Sequence, residues 1–100
     1  MKPLLPAALL ALTASASFAE TLTLYTSQPN ADAQMTVDAF MEANPDIEVE
    51  WVRDGTTKLM ARLMAEIEAG NPQPDVLLIA DTVTLEGMAQ NGQLQAYNSP

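Results

Sequence analysis

The chain has 100 residues, 4 Lys+Arg against 13 Asp+Glu, a formal net charge of -9, 48% hydrophobic residues, and neither cysteine nor histidine. A nucleic-acid binder needs a basic face to displace counterions from phosphates, and four positive charges spread over the chain cannot build one. The missing cysteines remove disulfides, thiolate nucleophiles and thiolate-bound zinc, and the missing histidines remove the imidazole base of a Ser-His-Asp triad.

The first element in chain order is a leader. Met1 and Lys2 open with positive charge, Leu4 to Leu12 form an apolar run broken by Pro6, and Ser17-Phe18-Ala19 places small residues at the two positions a signal peptidase reads. Residues 1–19 are therefore expected to be a secretory signal peptide, cut between Ala19 and Glu20. The run is too short to cross the roughly 30 Å of hydrocarbon that takes about 20 residues. The expectation is export to the periplasm, without membrane insertion after cleavage.

Residues 20–100 then alternate strands and helices. Leu22 to Ser27 mixes β-branched, aromatic and leucine side chains, which suits a buried strand, and Gln28-Pro29-Asn30 breaks it. From Ala31 to Ala43, Ala33, Val37, Phe40 and Met41 recur at helical spacing, with Asn30 expected as N-cap and Asp32 in the first turn. Asn44-Pro45-Asp46 ends that helix. A second strand, Ile47 to Arg53, sets Ile47, Val49 and Trp51 on one face and Glu48, Glu50 and Val52 on the other, the pattern of an edge strand.

After Asp54-Gly55, the stripe Leu59, Met60, Leu63, Met64 and Ile67 predicts a helix from about Thr57 to Ala69, with Arg62 and Glu66 one turn apart and Gly70 as its stop. Asp75 to Ala80 reads as a third strand, its continuous apolar run expected to be covered on both faces. A third helix follows from Asp81-Thr82 through Val83, Leu85, Met88 and Ala89 to Asn91-Gly92. The methionines at 35, 41, 60, 64 and 88 share helical spacing with other apolar residues and are assigned to core packing rather than to metal binding. The order βαβαβα predicts an α/β fold, a parallel sheet layered between helices.

Ligands of doubly wound sheets sit beyond the carboxyl ends of the strands, where the strand order reverses. If the first strand is central, with the second and third on either side, that crevice is bounded by Ser27, Gln28 and Asn30 on one side and by Asp81 and Thr82 on the other. Both segments lead into helix N-termini, whose free N–H groups favour an anion. At each position, Asn30 and Asp81 or Thr82 can equally serve as helix caps. No glycine-rich phosphate loop is present, which speaks against a nucleotide fold. Asp75 and Asp81 stand roughly 20 Å apart across an extended strand, too far for paired-carboxylate catalysis. Asp46, Glu48, Glu50 and Asp54 lack the spacing and glycine of a calcium loop and read as a solvated face.

The leader, the segment Leu22 to Ser27, the phrase Asp75 to Asp81 and the closing Gly92 to Pro100 together resemble the start of a periplasmic substrate-binding protein of the ferric-iron-type ABC importer family. The resemblance implies the N-terminal lobe of a hinged type II periplasmic binding protein, about three times this length, monomeric and without catalytic activity. Residues 20–100 are then the first part of that lobe. Such a protein closes on a solute and delivers it to an ABC permease in the inner membrane. The cargo implied is ferric iron, carried as ligand rather than as cofactor, or an anionic solute such as a phosphonate or sugar phosphate. Iron-binding members of one subgroup carry a histidine just after the first strand and a glutamate just after the third, where this chain has Pro29 and Ala80. Asp81 is the one anionic oxygen donor in the crevice, whereas Ser27, Gln28, Asn30 and Thr82 suit an anionic guest. Two other functions fit the residues: an exported α/β enzyme whose catalytic groups lie in sequence outside these 100 residues, and a small self-contained flavodoxin-like interaction domain.

Overall fold

The computed structural model describes residues 20–100, and the leader expected at residues 1–19 lies outside the described residues. Six elements follow in order: β1 (Glu20–Thr26), α1 (Asn30–Ala43), β2 (Ile47–Arg53), α2 (Thr56–Glu68), β3 (Val76–Leu78) and α3 (Thr82–Gln90). The strands form one parallel sheet in the order β2-β1-β3, so the first strand is central, which meets the condition for a crevice between the β1 and β3 loops. The fold is α/β with three layers.

Register explains which helix lies where. Leu22 stands opposite Val49 and Leu24 opposite both Trp51 and Val76, so these side chains share one face of the sheet. That face carries α1, whose Thr36, Val37 and Phe40 border the same cleft as Leu22, Leu24, Val49, Val76 and Leu78. Leu77 faces the other way and shares a hollow with Leu63 and Ile67 of α2 and Met88 of α3. Ala33 and Val37 of α1 are buried, as are Leu59 and Leu63 of α2, Met88 of α3 and Leu24 and Tyr25 of β1. Burial of a leucine of this kind contributes about 1.5–3 kcal/mol, so the stripes on α1 and α2 account for their docking on opposite faces.

Three sequence expectations need correction. The third strand was expected over Asp75 to Ala80 and spans only Val76–Leu78. Leu78 is paired with Thr26, the last residue of β1; beyond it β1 turns away and leaves Ile79 and Ala80 without a partner there. At the other end Asp75 N–H donates to Thr23 O at 2.8 Å, and its carboxylate Oδ2 accepts Thr23 N–H at 2.9 Å. The same strand is not covered on both faces. Val76 is 43% and Leu78 39% exposed, because α1 lies over the β2 side of its face.

Second, Asn30 is not the N-cap of α1 but its first helical residue. Pro29 takes the cap position, with its φ at -55° and its carbonyl accepting Ala33 N–H at 2.9 Å. Third, Met35 is 70% exposed, lying on α1 between the buried Ala33 and Val37 and off their stripe. Of the other methionines, Met88 is buried, and Met41 is half-buried with its sulfur 3.5 Å from Val49 N.

On the α2 face a polar knot fastens β1. Tyr25 is 1% exposed and its hydroxyl donates to Glu66 Oε2 at 2.6 Å, while the Arg62 guanidinium stands 5.2 Å from the ring centre. Arg62 Nε also donates to Glu66 Oε2 at 3.1 Å, and Gln73 N–H donates to Oε1 at 3.1 Å. One carboxylate thus ties strand, helix and the loop leading to β3. Burial and the Glu66 partner hold the Tyr25 phenol above its ordinary range. Partial burial works to raise the Glu66 carboxyl, but the donors Tyr25, Gln73 and Arg62 outweigh it and leave it below the ordinary value.

Candidate functional site at the carboxyl edge of the sheet

All three strands end at the same edge, and each leads into a helix within a few residues. The β1–α1 loop is anchored on both sides. Ser27 N–H donates to Leu78 O of β3 at 3.1 Å, and Asp54 N–H, at the end of β2, donates to Thr26 O at 3.2 Å. Within the loop Gln28 N–H donates to Thr26 Oγ1 at 3.1 Å, which satisfies a fully buried threonine hydroxyl oxygen.

Ser27, Gln28 and Pro29 line an open depression of about 340 Å³ together with Leu78, Ile79 and Ala80. The structure therefore joins Ser27 and Gln28 to the end of β3. Asn30 and Asp81 do not line that depression. Asn30 is exposed in the first turn of α1, and Thr82 borders a neighbouring groove along α3 with Val83, Glu86, Gly87 and Gln90. Among the described residues, no hydrogen bond engages the hydroxyl of Ser27 or of Thr82, and the buried Oε1 of Gln28 has no partner.

Asp81 is committed to its own helix. Its Oδ1 accepts Thr84 N–H at 3.2 Å and its Oδ2 accepts the Thr84 hydroxyl, making it the N-cap of α3. Those two bonds hold its carboxyl below the ordinary range. By contrast, α1 starts from Pro29 and α2 from Gly55, and neither has a side-chain cap. Their first-turn N–H groups face outward at the same edge of the sheet, where partial positive charge collects.

Sequence reasoning missed Arg53. It ends β2 in the row of Ile47, Val49 and Trp51, so the period of two already aims it to the α1 side of the sheet. Its Nε donates to Gln28 O at 2.8 Å and its Nη2 to Ser27 O at 3.3 Å. Lys58, in the first turn of α2, is also exposed near that edge. Among the described residues no group of three or more acidic, histidine or cysteine side chains could hold a metal, and no helix is long and apolar enough to cross a membrane.

A parallel sheet with its first strand central, helices on both faces and two loops meeting at its carboxyl edge is the architecture of a doubly wound α/β lobe, consistent with a fragment of a periplasmic binding protein. The family model described as bacterial extracellular solute-binding protein matches residues 25–99, and the chain belongs to that family. The family binds solutes outside the cytoplasmic membrane and implies an ABC permease as partner. Comparison with curated proteins finds no match, and neither does comparison with solved structures.

Proposed function

We propose that this chain is part of the periplasmic component of an ABC importer, and that its cargo is a small oxyanion of the phosphonate or sugar-phosphate class. Ser27, Gln28, Asn30 and Thr82 contact that cargo, and Asp81 keeps α3 in place beside it. The observation that carries the reading is the pair of uncapped helix starts at one sheet edge, with Arg53 and Lys58 near them. A lysine in the first turn of a helix opposes the dipole, and a bound anion relieves that opposition. Ferric iron has less support, since the carboxylate of Asp81 already holds Thr84. The cycle involves no chemical step: the solute stabilises a closed form of the whole protein through its extra affinity for that form.

In the full chain, replacing Ser27 and Thr82 together by alanine removes two hydrogen bonds to a charged cargo, about 3–6 kcal/mol of binding. Among the described residues neither hydroxyl makes a hydrogen bond that serves the fold, so the melting temperature stays near that of the parent. Titration calorimetry with methylphosphonate checks this, and equal affinity for variant and parent would remove these residues from the site.

A further inference from the structure

We propose that Arg53 is a positioning residue of the solute-binding loop, acting through Ser27 and Gln28 rather than through contact with the solute. The proposal rests on the crevice reading given above. Between the last residue of β1 and the first of α1 the chain reverses over Ser27, Gln28 and Pro29. Three successive carbonyls in this turn, those of Thr26, Ser27 and Gln28, are all taken from the end of β2. Asp54 N–H holds the first, Arg53 Nη2 the second at 3.3 Å and Arg53 Nε the third at 2.8 Å.

On the opposite side the loop is held by Ser27 N–H on Leu78 O. Without the guanidinium the loop keeps that bond and those at Thr26, but the carbonyls of Ser27 and Gln28 lose their donors, and the directions of the Ser27 and Gln28 side chains and of the first-turn N–H groups of α1 would be less firmly fixed. Pro29 offers no N–H with which to replace the lost anchor. The two carbonyls belong to adjacent residues and are met by two nitrogens of one rigid planar fork. A lysine, whose donors radiate from a single nitrogen on a flexible stem, cannot reproduce that geometry.

The test compares Arg53→Ala and Arg53→Lys with the parent in the full chain, using inorganic phosphate as probe and backbone amide spectra as readout. Both variants are expected to bind phosphate about tenfold more weakly, with the amide signals of Ser27, Gln28 and Asn30 shifted or broadened before any phosphate is added. If Arg53→Lys keeps the parent affinity, Arg53 supplies charge alone and the positioning role is overturned. Parent-like affinity and undisturbed loop amides in both variants would overturn it equally. If phosphate shifts no loop amide even in the parent, the crevice reading fails and this role falls with it.

Discussion

Asp81 illustrates how one side chain can be withdrawn from a binding role by its own helix. Both of its oxygens serve Thr84, and those bonds favour the charged form. Glu66 is likewise held below its ordinary value, once its hydrogen-bond donors outweigh burial. Because each carboxyl titrates lower in the folded chain than unfolded, each contributes stability above its ordinary value, 3.8 for Asp81 and 4.5 for Glu66, and loses it as pH falls toward the folded value. Tyr25 has the opposite shift, so its contribution is complete below 10.0 and is lost as the pH rises through the raised folded value. Asp81→Ala therefore lowers the melting temperature near neutrality, on the order of a few °C, and the gap closes as the pH drops below 3.8. Melting curves from acid to neutral pH check this; a gap that does not vary with pH would contradict the cap.

At the scale of elements, the helices stand on apolar stripes and on their stops. Leu59 is fully enclosed between α2 and the sheet, so Leu59→Ala should cost about 2–5 kcal/mol. Gly70 follows α2 with φ at +76°, a conformation that costs other residues about 1 kcal/mol, and nothing crowds the position. Gly70→Ala should thus destabilise by about 1 kcal/mol through backbone strain alone, and denaturant titration of the two variants separates the effects. The order of elements and the edge position of β2 were legible because periods of 3.6 and 2 persist over seven or more residues in β1, α1, β2 and α2, whereas the central place of β1 is a matter of strand order that periodicity does not carry. The extent of β3 was not legible. Ile79 and Ala80 are as apolar as Val76, and only the point at which β1 turns away, a fact of the tertiary fold, decides that they stay unpaired. The candidate crevice was half legible for a similar reason. The switch-point rule leads to the loop of Ser27 and Gln28, whereas the hold of Arg53 on that loop runs through two backbone carbonyls that sequence does not display.

For the whole molecule, the decisive feature is the unequal covering of the sheet. The face under α1 carries a cleft of about 180 Å³ lined by Leu22, Leu24, Val37, Phe40, Val49, Val76 and Leu78, and among the described residues β2 and β3 both present open edges. Residues 20–100 produced alone should bind a hydrophobic dye and self-associate at micromolar concentration. Monomeric, cooperative unfolding without dye binding would count against that. The carboxyl edge of the sheet carries the functional claim, that a small oxyanion sits where β1 and β3 deliver their loops. Amide hydrogen exchange on the full-length protein, compared before and after methylphosphonate is added, tests it most directly. New protection should appear in residues 27–32 and 79–84. Protection confined to the apolar cleft beneath α1, or spread without regard to these two segments, would contradict the account.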